Sequence, residues 1–168
     1  IISWNKQEYN TDGWYLTSEN DNTPLALSVG EGANGGQPYK VSVKGNRAEF
    51  FPAGEWTHIV VTYDSETKDV AFYRNGEAQS VNVDYAVGEG RDGVLGSDPD
   101  MEKSIGYNGP VYGYAFLNAA LDHYELFNDT ATAEQALALY EENKETETSG
   151  LKNQVLDLEF EDNLTDGT

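Results

Sequence analysis

Residues 54–64, GEWTHIVVTYD, and residues 70–79, VAFYRNGEAQ, decide the architecture. In the first run Trp56, His58, Val60 and Thr62 alternate with Thr57, Ile59, Val61 and Tyr63, and both sets carry apolar or β-branched side chains. Such a pattern predicts a strand covered on both faces, because a strand with one wet face alternates polar with apolar instead. Asp64 to Asp69 reads as a polar turn, and Val70 to Arg74 is β-branched and aromatic again before Asn75-Gly76. Asn-Gly tolerates the positive φ angles of a type I′ turn, so a hairpin is predicted there.

Working outward, short strand-like runs recur between turn signals: Trp14 to Thr17, Leu25 to Val29, Tyr39 to Val43, Ala48 to Phe51, Thr57 to Tyr63, Val70 to Tyr73, Ser80 to Val83, Lys103 to Gly106, Tyr112 to Phe116 and His123 to Phe127. Their spacing and Gly-rich connections, such as GEGANGGQP at 30–38, predict an all-β antiparallel sandwich. Trp56, Tyr63, Phe72 and Phe127 are assigned to its core. The stretch from Glu89 to Met101 carries no clear pattern. A single short surface helix is predicted near the C-terminus, with Thr132 as its cap, Glu134 and Gln135 in its first turn, and Ala136, Leu137, Leu139 and Tyr140 as its apolar stripe.

Two motifs carry a resemblance. Gly-x-Trp-x-His running into Tyr63-Asp64, then a strand and an Asn-Gly hairpin, resembles the centre of laminin-G-like, concanavalin A-like jelly rolls of secreted bacterial carbohydrate-active proteins. Downstream, NAALDHYELFN at 118–128 followed by TATAEQALALYEEN resembles their closing strand and terminal helix, with Asp122, Leu126, Phe127 and Asn128 keeping the pattern. Ala119 and Glu125 depart from it, standing where Gly and Arg are usual. The resemblance spans residues 1–143. Residues 144–153 then read as a polar linker. Residues 154–166, QVLDLEFEDNLTD, resemble the opening strand of the same family, displaced to the end of the chain. Two arrangements fit residues 154–168: the start of a next tandem repeat, or a strand that completes this sandwich or a neighbouring chain by strand addition.

Composition narrows the function. Across 168 residues there are 10 Lys and Arg against 30 Asp and Glu, for a net charge of −20. A surface of that sign repels nucleic acid and anionic membranes. No run is long enough to insert into a bilayer, and Ile1-Ile2-Ser3-Trp4 is too short and polar for a signal peptide, so an exported protein would carry its signal upstream. The absence of cysteine removes disulfides and thiol chemistry. Asp157, Glu159 and Glu161 alternate with apolar residues at the carboxylate spacing of a retaining glycosidase, but alternation of this kind is the ordinary signature of a half-buried strand. The acid pattern of laminarinase-like jelly rolls is incomplete here, with Val155 in place of its first Glu. No catalytic residue is assigned.

Sugar rings stack on exposed aromatics and give their hydroxyls to neighbouring amides and carboxylates. Two clusters carry that chemistry: Trp4, Asn5, Tyr9 and Trp14, and Tyr107, Asn108 and Tyr112. The resemblance further implies a structural calcium ion held by Asp122 together with Asp162 or Asp166, hard oxygen donors of the kind calcium takes. The resulting expectation is a non-catalytic carbohydrate-binding or adhesion module of a larger secreted or cell-surface bacterial protein, with a glycan or polysaccharide as partner. A catalytic jelly-roll hydrolase or lyase, and a structural spacer or protein-interaction module, are the alternatives.

Overall fold

A computed structural model describes the backbone of residues 2–5, 13–30, 37–88, 90–95, 102–108, 115–143 and 154–158, and the side chains of these except 2–5, 102–104, 107–108, 115–116 and 154–158. The elements run β1 (Ile2–Asn5), β2 (Gly13–Thr17), β3 (Ala26–Val29), β4 (Tyr39–Val43), α1 (Arg47–Phe50), β5 (Ile59–Tyr63), β6 (Val70–Arg74) and β7 (Glu77–Ala78), and continue with β8 (Val81–Tyr85), β9 (Glu102–Ile105), β10 (Tyr107–Asn108), β11 (Ala115–Phe116), β12 (Tyr124–Phe127), α2 (Ala133–Glu142) and β13 (Gln154–Leu158). All pairings among them are antiparallel.

A six-stranded sheet in the order β8-β4-β3-β2-β1-β9 faces a three-stranded sheet in the order β5-β6-β7. Period-2 alternation aims Leu27 and Val29 of β3, and Tyr39, Val41 and Val43 of β4, at Phe72 of β6, and these form the buried core. Trp14, Leu16, Ile59, Val61, Tyr63 and Val70 pack around them, half-buried. Each fully buried side chain of this size contributes about 1.5–3 kcal/mol of apolar transfer, so the nine-strand pair of sheets is the stable body of the molecule and the all-β sandwich is observed as predicted. The far face of the large sheet is also closed, with Ser28, Ser42 and Lys40 buried. Lys40 pairs there with Glu19, whose two carboxylate oxygens lie 2.6 Å from Nζ.

The decisive segment folds around its turns. Asp64 accepts from the backbone N–H groups of Glu66 and Thr67 at 2.7 and 2.9 Å, closing the β5–β6 turn as an Asx motif. Asn75 and Gly76 take φ of 50° and 78°, the type I′ combination, and join β6 to β7 with Arg74 opposite Glu77. Asn75 also reaches back to β5: its amide oxygen accepts from His58 N–H and its own N–H donates to His58 carbonyl oxygen, both at 2.9 Å. The turn therefore fixes three strands at once.

Two readings are corrected. Ala48 to Phe51 is not a strand: Arg47–Phe50 is a single helical turn, because the Asn46 side chain caps it by accepting from Ala48 N–H at 2.8 Å. Trp56 does not enter the core and is 70% exposed. A turn at Pro52, with its carbonyl accepting from Glu55 N–H, delays the strand until Ile59. In that same stretch His58 has a buried Nδ1 without a partner among the described residues. The helix α2 matches its prediction closely: Thr132 and Gln135 form a reciprocal capping box. Ala136 and Leu139 are its buried positions, whereas Leu137 is 47% exposed yet lies over Gly76.

Candidate functional site

The described members of the two aromatic clusters fall on strands at, next to or just beyond one edge of the large sheet. In β1, Trp4 is the register partner of Trp14 in β2, and Asn5 that of Gly13. On its other edge β1 pairs with β9, Trp4 opposite Lys103 and Asn5 opposite Glu102. Gly106, at φ 74°, then turns the chain from β9 into β10, which carries Tyr107 and Asn108. Tyr107 pairs with Phe116 and Asn108 with Ala115 of β11, and the Gly106 carbonyl accepts from Leu117 N–H at 2.8 Å. Residues from both ends of the sequence thus share the β2-β1-β9 edge and the hairpin beyond it. Trp14 itself is half-buried and packs on the core, so its first duty is structural. Tyr9 and Tyr112 lie outside the described residues.

Asp122 is exposed, two residues ahead of β12. The β12–β13 register sets Tyr124 opposite Leu158, so the chain leaves β13 on the Asp122 side. Asp162 lies four residues further on, within about 14 Å of Leu158 at full extension; it and Asp166 are outside the described residues. Among the described residues no group of three or more His, Asp or Glu gathers to hold a metal ion. A calcium shell would therefore need Asp162 or Asp166 in addition to Asp122. The same register puts Glu125 opposite Asp157. The Glu125 carboxylate lies 3.4 Å from Nε2 of His123, and His123 adopts a positive φ of 48° at the entrance to the strand.

Of the segment without a sequence pattern, residues 90–95 are described, and Arg91 and Gly93 are tied to the sandwich. The carbonyl of Gly93 accepts from the Tyr63 hydroxyl and from Lys68 Nζ, the latter at 3.1 Å. Tyr39, whose ring lies 6.3 Å from that of Tyr63, donates to Lys68 carbonyl oxygen at 2.7 Å. Arg91 donates to Gln37 carbonyl oxygen at 2.9 Å and lies 5.3 Å over the Tyr85 ring. Burial, then the neighbouring Tyr39, Asp92 and Asp64, push the Tyr63 hydroxyl up to about 12. Burial, then Asp69, also raises Tyr39. Both phenols remain neutral donors at ordinary pH. Sequence reasoning missed this anchoring because its acceptors are backbone carbonyls; the polar tips of Tyr39 and Tyr63, each at a strand end, were the available signal. It also missed Trp56 as an exposed ring, for which Pro52 and Gly54 just ahead of it were the warning.

At the opposite end of β5, His58 lies 5.8 Å from the Tyr140 ring. Burial, then the charge of His123, lowers its pKa below the usual histidine value. No nucleophile and base pair accompanies it among the described hydrogen bonds.

The family model described as the concanavalin A-like lectin/glucanases superfamily, a laminin G-like model, matches residues 1–136, and the chain belongs to this family. No curated protein sequence matches it. Among solved structures, an S-layer domain-containing protein of Clostridium thermocellum, residues 221–444, is similar at 18% identity and a TM-score of 0.39. The alignment covers 83% of this chain and 61% of that one, so the chain spans about three fifths of the solved relative's length. No described helix is long and apolar enough to cross a membrane.

Proposed function

We propose that this domain is a non-catalytic carbohydrate-binding or adhesion module of a larger secreted or cell-surface bacterial protein, recognising a neutral glycan along the β1-β9-β10 edge. The observation that carries the reading is the register of β1, which joins the strand bearing Trp4 and Asn5 to Trp14 on one side and to the chain leading into Tyr107 and Asn108 on the other. Aromatic and amide residues on one edge suit a saccharide, whose apolar face stacks while its hydroxyls take amide partners. The net charge of −20 selects against acidic polysaccharides. Single-site affinity is weak in such a design, and repetition along a polymer raises it.

Calcium belongs to the same proposal. Asp122, with Asp162 or Asp166, would brace the end of β12 and the chain beyond β13, and added calcium is expected to raise the melting temperature. A glycan array followed by calorimetric titration, with and without calcium, tests the whole reading. Binding to a neutral glycan, reduced up to about tenfold by Tyr107→Ala or Trp4→Ala, supports it, and no binding in either condition overturns it. The hydrolase reading has its own observation, the acidic pair Glu125 and Asp157 at facing register positions. Turnover of the bound glycan, abolished by Glu125→Gln, would establish that alternative instead.

A further inference from the structure

The strand β13 holds to the molecule in an unusual way. Its pairing partner is β12, through Tyr124↔Leu158, Glu125↔Asp157, Leu126↔Leu156 and Phe127↔Gln154 with a bulge near Phe127. The two strands form a sheet of their own, and among the described residues the main core cluster draws on β2 to β6, β8 and the α1 turn and takes no member from β12. From Asn143, which caps α2, eleven peptide steps lead to Gln154, a span of up to about 40 Å when extended.

We propose that β13 is an exchangeable closing strand, which pairs with β12 of its own chain in the monomer and with β12 of a second copy in a reciprocal dimer. Exchange keeps the same strand pairing in both states, so the two differ little in contact energy and concentration selects between them. The register supplies specificity: Leu156 and Leu158 stand opposite Leu126 and Tyr124, and a slip of one residue would set the acids against them. It also supplies looseness, because Glu125 opposite Asp157 is a like-charge pair, which weakens a cross-strand contact. The strand is thereby specific enough to return to a β12 and weak enough to leave it.

The chain's lack of cysteine makes the test direct. Leu126→Cys and Leu156→Cys sit at facing register positions, within the Cα separation a disulfide accepts. The double variant, oxidised at low concentration, is expected to form an intramolecular link. An equal mixture of the two single variants, concentrated, incubated and then oxidised, is expected to give a covalent heterodimer. Light scattering of the unmodified chain should show a dimer fraction that rises with concentration and is lost in Leu156→Asp, with near-ultraviolet circular dichroism confirming that the core remains folded. An intramolecular link in the double variant without any heterodimer in the mixture overturns exchange. Failure of the double variant to link overturns the pairing on which exchange depends.

Discussion

The β5-β6-β7 sheet and the β12–β13 pair are both antiparallel, yet they are held by different means. In the former, successive strands are joined by short turns whose side chains dictate the geometry: Asp64 takes two backbone N–H groups, and Asn75 and Gly76 supply two positive φ angles. In the latter, α2 and residues 144–153 separate the partners, and the register rests on apolar alternation with two acids face to face. A locally written turn makes slippage expensive, while a distant pairing must be re-established after a longer loop closure. On the exchange proposal the first region is expected to behave as the fixed frame and the second as the removable part.

The largest expected effect breaks the frame. Phe72 is 1% exposed at the centre of the core, and Phe72→Ala should cost about 3–5 kcal/mol through lost transfer and the cavity left behind. Leu126 is only half-buried, so Leu126→Ala should cost less, and chemical denaturation of the two variants measures the difference. Equal losses would mean that the closing pair is as integral as the core.

Next comes the turn. A Cβ on Gly76 would stand 2.7 Å from Leu137 Cδ1 and 3.1 Å from Leu137 Cα, at a φ of 78° that side chains disfavour. Gly76→Ala should cost about 1–3 kcal/mol. Adding Leu137→Ala should recover part of that loss by removing the flexible tip, while the backbone strain and the approach to the helix backbone remain. Thermal melts of the single and double variants separate the two contributions. Full recovery would show that the turn itself carries no strain.

These two regions also explain how much was readable beforehand. Local devices left explicit traces: Asn75-Gly76, the Asp64 turn and the Thr132 to Gln135 capping box are all short-range patterns, and each formed where expected. Trp56 misled because alternation alone cannot say where a strand starts, and the turn at Pro52 withholds the residue from the sheet. Ala48 to Phe51 misled for a related reason, since a capping Asn46 outweighs the β preference of two phenylalanines over so short a span. For the candidate site, the aromatic clusters were visible one by one, but the pairing of β1 with β2 and β9 is a long-range register, which depends on tertiary contacts. The anchoring of Gly93 left only the polar tips of Tyr39 and Tyr63 as a trace, because backbone acceptors carry no sequence signature.

A smaller effect concerns that anchoring. Tyr63→Phe removes one of the two donors to Gly93 carbonyl oxygen and leaves Lys68 in place, so about 1 kcal/mol is expected. The pH profile gives an independent reading. With the native hydroxyl pushed up to about 12 from 10, the unfolded chain loses its proton first. The contribution is therefore complete below pH 10 and is lost as pH rises towards 12. Tyr39 shifts in the same direction, so Tyr63→Phe should shallow the alkaline loss without abolishing it. An unchanged profile would show that the phenol is not held as described.

The smallest effect sits between the frame and the removable part, at His58. Burial and the charge of His123 lower its native pKa, so in the window just below 6.5 the unfolded chain binds more protons than the native one. Stability consequently falls as pH drops through that window and recovers above it. His58→Gln should flatten this segment of the stability curve while leaving the alkaline limb untouched. Because the chain has only two histidines, an NMR titration can follow His58 directly, and a native value at or above 6.5 would break the account. The same titration sharpens the regional comparison. His123 stands beside Glu125 on β12, so loosening β13 with Leu156→Asp should change the environment of His123 more than that of His58, whose backbone is clamped by Asn75. Equal responses of the two rings would mean that the closing strand and the hairpin frame move as one unit, and the division drawn between them would fail.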